Sequence, residues 1–497
     1  MLVELTAVFA TSALVTYLFF TWNFNYWKKY GIPYEKPKLF FGNFKEALTG
    51  EKHFGLIYHD LYKKFNNAAY FGFFKLGTPT LVIRDLDIIK AVLIKDYNHF
   101  AENDFHTDTE KDAILAENPF FHAGELWKTK RARWSIVLTP TKIKGIYGTM
   151  EEKSQRMVEY LKNHIRDHPG EPMEARELAV KYLTDVVVSG VMGLQCNTFA
   201  EEENIFKKIA LSFFVSDFWE GLANFAYIIA PWIHKLFFTG FLKQWVKDEC
   251  LDIAKNIVAL KKKNGYTSND FFEAMMKEDG STEVDVAGRV LGFLSEGVET
   301  SSGLVSFVLY EMAANPQIQA KLRKELNDAA AANNGQLSYD ALQNNKYLDM
   351  ILKETMRVYP AVLTINRVCT IPYTLAPAVP GGRPFTIPVG MPVTICNYAT
   401  HHDPQYFPNP QTFDPERFRD EENIPKYSYL PFGEGPRICI GMRLGLTNSK
   451  VALSAILRNF EVRVSPKTAA RPLPIDPSVL VIRTLGDLWI TFHQIST

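Results

Sequence analysis

Two carboxylates, Glu296 and Glu299, interrupt the stretch FLSEGVETSSG (293–303), which is otherwise small or apolar. From Val290 to Met312 the chain reads as a long buried helix. An ionised carboxylate inside such a helix is costly unless something pairs with it. Glu296 and Thr300 lie one turn apart on one face.

The second chemical centre is Cys439 in FGEGPRICIG, where glycines and a proline crowd around one thiol. Glycine lets a backbone take positive φ and approach a flat ligand closely. The cysteine precedes a helix expected from about Ile440 to Asn459, whose unpaired N–H groups favour an anion, so a thiolate is expected. Such a cysteine serves as a nucleophile or as an axial metal ligand. No local Cys/His/Asn signature accompanies it, and Arg437 suits a carboxylate-bearing ligand better than a catalytic imidazole.

The spacing Phe432-x-x-Gly435-x-Arg437-x-Cys439-x-Gly441 resembles the haem-binding loop of the cytochrome P450 family. Other motifs follow in that family's order. KETMR supplies Glu354 and Arg357, one turn apart on a helix, and FDPERF supplies Arg417. Alone, E-x-x-R is a common solvated helix pair. Within the resemblance, the three lock the cysteine loop. WKTKR supplies Trp127 and Arg131, which with Arg367 and Arg437 are expected to bind the haem propionates, since buried anions need positive partners.

The same resemblance assigns EGVETS to the family's central helix. Gly297 would let the helix pass over the haem face, Thr300 would hydrogen-bond the oxygen being activated, and Glu299 would relay protons to it. Glu296 departs from the alanine or glycine usual there. It implies either an ester to a haem methyl, as in fatty-acid-hydroxylating relatives, or a buried, partly protonated acid facing the pocket and choosing substrates with a basic or hydroxyl group.

Around these residues the elements must be mostly helical. The expected fold is mainly α with small β-sheets, the cytochrome P450 fold with an N-terminal transmembrane helix. A β-like piece at 68–85 precedes a largely helical span from about 86 to 360, and proline- and glycine-rich loops follow. From Leu5 to Trp27 no charge occurs, and about 20 apolar residues suffice to cross a bilayer. Glu4 before the run and Lys28-Lys29 after it argue against a cleaved signal and for a cytosolic body. The division is therefore an anchor at 1–27, a proline-stiffened spacer at 28–38 and one catalytic domain at 39–497. The aromatic run at 224–241 is core, lid or a second lipid contact.

Fifty-five basic residues balance 55 acidic ones, so no global field points to nucleic acid. Five dispersed cysteines without a C-x-x-C pair suit a reducing compartment. No P-loop, G-x-G-x-x-G or flavin motif is present, so electrons must come from another protein. The resemblance implies NADPH–cytochrome P450 reductase, with cytochrome b5 as a further donor, docking on a positive face made by KTKRARW (128–134), Arg443 and Lys450. It also implies an endoplasmic-reticulum location with the domain on the cytosolic face, haem b as cofactor, and insertion of one atom of O2 into hydrophobic xenobiotics or endogenous lipophiles. Segments near 100–125, 205–240, 290–303 and 361–368 would build the pocket, with Phe120, Phe121, Phe213 and Phe214 as candidates. Two other readings stay open: peroxide rearrangement or dehydration without a reductase, and a haem carrier or sensor without turnover.

Overall fold

The computed structural model describes residues 2–105, 111–201, 203–212, 240–264, 271–272 and 281–495. Phe213, Phe214 and all but the last two residues of the 224–241 run lie outside them.

Helix α1 (Leu2–Thr21) has 20 residues and turns Leu5, Val8, Phe9, Leu14 and Leu18 outward. Among the described residues no helix is long and apolar enough to cross a membrane. The helix also stops short of the boundary expected at 27. Trp27 is fully buried, its indole N–H donating to the Phe73 carbonyl at 3.0 Å. Gly72 makes this possible, because a Cβ there would lie 2.3 Å from the Trp27 ring. Position 27 therefore belongs to the body of the fold.

Strands β1 (Tyr70–Lys75) and β2 (Thr78–Ile83) form a hairpin within the 68–85 piece. β2 pairs in parallel with a strand from much later in the chain. That four-stranded sheet runs β1–β2–β4–β3, where β3 is Ile365–Val368 and β4 is Pro392–Ile395. Arg367 on β3 stands opposite Val393 on β4, so the sheet register sets its place.

Five helices frame the site: α2 (Gly124–Ser135), α3 (Tyr147–Asp167), α4 (Ala175–Val186), α5 (Glu283–Ala314) and α6 (Lys346–Val358). α5 opens on a capping box in which Thr282 accepts from Asp285 N–H while the Asp285 carboxylate accepts from Thr282. It spans about 48 Å at 1.5 Å per residue, and it is apolar around most of its circumference, as a helix enclosed on all sides must be. The last helix, α7 (Met442–Asn459), crosses it closely. A Cβ on Gly445 of α7 would sit 3.2 Å from the Ser301 hydroxyl.

Candidate haem site

α5 and α7 enclose a cavity of about 1040 Å³, counting its mouth. Glu296, Gly297 and Thr300 line one side, and Phe432, Cys439 and Gly441 line another. Apolar walls come from Trp134, Val187, Phe293 and Phe307. Trp134 and Phe293 stack with centroids 5.2 Å apart.

Cys439 is accessible, yet what it faces is this cavity and not bulk water. Its N–H donates to the Phe432 carbonyl at 2.9 Å, closing the loop. Gly435, at φ +74°, is forced twice over: the angle is left-handed, and a Cβ would collide with the Leu93 carbonyl at 2.0 Å. The thiolate expected from the helix terminus is corrected for the protein alone. Burial pushes the Cys439 thiol up, and the backbone around Gly441 and Met442, with Arg131, pulls it back only in part. A metal bound at the sulfur would deprotonate it outright.

Glu354 and Arg357 form a wholly buried two-pronged pair at 2.7 and 2.8 Å. Arg357 also donates to the carbonyls of His401 and Pro410, each at 2.9 Å, and Arg417 stands 3.4 Å from Glu354. His401 then accepts the Leu430 N–H at 2.8 Å, which carries the connection to the segment before Cys439. A guanidinium fork can satisfy a carboxylate and carbonyls at once, and that is its use here.

At one end of the site, arginines crowd together. Arg437 lies 4.7 Å and Arg131 5.9 Å over the Trp127 ring. Arg131 donates to the Ile438 carbonyl at 2.6 Å, and Arg437 donates to Tyr97 at 3.3 Å and to the His122 carbonyl. Arg367 donates to Asn103 at 2.9 Å, while its buried Nε has no partner. Burial, then repulsion from Arg437, lowers Arg367 to about 10. Among the described residues none of the three arginines is within ion-pair distance of a carboxylate. Three such cations fit a group bearing two carboxylates, as haem does, and the unpartnered Nε is the atom it would satisfy.

Glu296 and Glu299 of α5 have different surroundings. Glu299 is buried and ion-paired to Arg176 of α4, away from the cavity lining. Arg176 lines a smaller polar pocket with Glu174, Arg483 and Asp487. Glu296 lines the main cavity and accepts through Oε1 from Asn118; burial pushes its carboxyl up to about 7. Thr300 donates to the Glu296 carbonyl at 2.7 Å, so its hydroxyl is occupied within its own helix. A Cβ on Gly297 would meet only Val187, at 3.9 Å, so the helix leaves open room there.

Sequence reasoning missed Asn118, Arg176, Tyr97 and Asn103. Asn118 carried a weak local signal, N-P-F-F, in which it caps a short helical turn. The positive docking face is corrected at one position. Lys450 turns inward, 2.7 Å from Asp349 and 3.2 Å from the Gln343 carbonyl, because its place on α7 faces the core. Lys130 likewise pairs with Glu117, while Lys128 and Arg443 remain exposed. Phe120 and Phe121 pack on each other 5.2 Å apart and do not line the cavity.

The family profile described as Cytochrome P450 matches residues 32–490. The chain is 34% identical to Cytochrome P450 6j1 of Blattella germanica, over 99% of this chain and 98% of that one. It is 32% identical to Cytochrome P450 6A1 of Musca domestica (96% and 95%) and 31% identical to Cytochrome P450 9e2 of Blattella germanica (97% and 96%). A cavity with a thiol on its wall, an arginine cluster short of anions and a match across nearly the whole chain have one common reading: the protein belongs to the cytochrome P450 family and is a haem-iron monooxygenase of the microsomal insect type.

Proposed function

We propose that the chain oxidises lipophilic small molecules, xenobiotic or endogenous, at the endoplasmic-reticulum membrane, with electrons from NADPH through a separate flavoprotein reductase and with cytochrome b5 as a second donor. The observation that carries this reading is the shared cavity of Cys439, Gly297 and Thr300 beside an arginine cluster with no carboxylate within ion-pair distance among the described residues. Haem, when bound, supplies an iron that activates dioxygen and delivers one oxygen atom to substrate.

The chain's own residues do the rest. Cys439 Sγ would hold the iron, and the Phe432 carbonyl accepts the Cys439 N–H. Trp127, Arg131, Arg367 and Arg437 hold the two porphyrin carboxylates. The apolar walls exclude water and admit lipophilic substrate. Thr300 Oγ1, which donates to the Glu296 carbonyl, would hold a proton at the cavity wall, and Glu299 would carry protons between it and the polar pocket beside Arg176. In this reading the cofactor is haem b, and Glu296, which accepts from Asn118, serves as an acid facing the pocket and not as an ester to haem. Haem that extracts into acidified organic solvent from active enzyme agrees with this; retained haem means the ester.

Exposed Arg443, at the start of α7 just after the Cys439 loop, presents positive charge to an acidic reductase, while exposed Lys128 shares its charge with Glu125 at 2.6 Å. The outward apolar side chains of α1 support its insertion in lipid as a single pass, with the rest of the chain as one catalytic domain on the cytosolic face. The test is twofold. The reduced carbonyl complex should show the strongly red-shifted Soret band of a thiolate ligand, lost in Cys439→Ser. Reductase, NADPH and a lipophilic probe should then give oxygen-dependent product; product from peroxide alone would sink the reading.

A further inference from the structure

Of the two acids in the middle of α5, Glu299 has its cation, Arg176, and Glu296 has none among the described residues. The Asn118 amide serves Oε1, and Oε2 takes no hydrogen bond among the described residues. No described lysine or arginine stands close enough to contribute to the electrostatics of Glu296, and the other titratable groups lining this cavity are Cys439 and Tyr359, whose hydroxyl donates to Glu311 at 2.8 Å. A neutral amide is a poor counterpart for a buried carboxylate, which is stabilised by a cation that also hydrogen-bonds it. The walls around it, Trp134, Val187, Phe293 and Phe307, are apolar. A cation that pairs with the ionised form would therefore come with a ligand whose remaining surface is lipophilic.

We propose that Glu296 Oε2 is the docking point for a protonated nitrogen of the substrate, which makes lipophilic amines the preferred substrate class. The inference rests on the monooxygenase reading and names the substrates of that same cavity. Binding an ammonium at Glu296, one helical turn from Thr300, places carbon atoms near the nitrogen closest to the site of oxidation. Asn118 is a positioning residue, holding Oε1 of a carboxyl that lines the cavity.

The experiment uses the full-length, haem-loaded protein and two probes, N,N-diisopropylphenethylamine, too hindered to ligate iron, and its neutral counterpart with a C–H in place of nitrogen. Dissociation constants come from equilibrium dialysis at pH 8. A charge-assisted hydrogen bond in a dry site predicts about 10- to 100-fold tighter binding of the amine. In Glu296→Gln that ratio should fall toward one. Equal affinities in the wild type, or a ratio unchanged in Glu296→Gln, overturn the proposal. A readout that needs no variant is the wild-type ratio at pH 6, where the carboxyl of Glu296 is mostly protonated while the amine keeps its charge. The ratio should drop there, and an unchanged one also overturns the assignment. The carbonyl spectrum and oxygen-dependent turnover of the neutral probe report separately on the monooxygenase reading.

Discussion

Arg176 Nη2 binds Glu299 Oε2 inside the protein, with the guanidinium 16% and the carboxylate 5% exposed, while Thr300, the next residue along, lines the main cavity. The pair thus stands between that cavity and the polar pocket that Arg176 lines. Removing one partner of such a pair leaves a buried charge, which costs about 3–5 kcal/mol. Arg176→Leu should lower the thermal midpoint of the holoprotein, and adding Glu299→Gln should restore part of the loss. Glu299→Gln alone should keep the carbonyl spectrum and slow turnover by roughly 100-fold, the scale of a lost proton donor. Unimpaired turnover in Glu299→Gln would remove the relay.

The arginine cluster yields a prediction of opposite signs for the two forms of the protein. Burial followed by Arg437 lowers Arg367 from its ordinary value to about 10. A base whose folded value is depressed binds fewer protons folded than unfolded, so below pH 10 its charge destabilises the haem-free fold, and stability rises only above that. Haem carboxylates reverse the balance by supplying the anions. Haem-free Arg367→Met should therefore melt no lower than the haem-free wild type, while its haem dissociates faster. Paired melts and a haem-transfer assay measure both, and a destabilised haem-free variant with normal haem retention contradicts the assignment.

The parts of this site legible in the sequence were those whose partners lie close in the chain or within a motif. The Cys439 loop, Trp127 with Arg131, and Glu354 with Arg357 are of this kind, and helical or loop spacing alone brings each set together. Contacts across the fold were not legible. Asn118 meets Glu296 across 178 positions and Arg176 meets Glu299 across 123, and nothing local in either partner signals the other. Side-chain direction was hidden too: Lys450 looked like surface charge until the roll of α7 turned it onto Asp349. For Cys439 the helix terminus was visible and the burial that outweighs it was not.

Glu296 gives a pH dependence with a definite sign. Its carboxyl is raised from 4.5 to about 7 by burial, with the Asn118 hydrogen bond opposing. The folded chain then binds more protons than the unfolded one between these values. Stability contributed by this group is fully present below pH 4.5 and is lost as pH rises toward 7, by about 1–3 kcal/mol. Urea unfolding of the haem-free protein at pH 5 and pH 7.5 measures the slope, which Glu296→Gln should flatten. Identical slopes would mean that the carboxylate is ionised throughout.

Trp27 tests where α1 and its connection end and the packed body of the fold begins. The residue sits inside the apolar cluster behind β1, donates to Phe73 and fills the space that Gly72 leaves open. Truncating a buried tryptophan to alanine costs about 3–5 kcal/mol, whereas α1 lies outside this core and exposes its apolar side chains. A chain starting at Trp22 should leave the membrane fraction yet keep its thermal midpoint and carbonyl spectrum, and one starting at Lys28 should lose stability as Trp27→Ala does. If both truncations melt like the full chain, Trp27 is dispensable packing and the body begins later. If the longer one remains bound to membranes, lipid contacts outside α1 hold the domain in place.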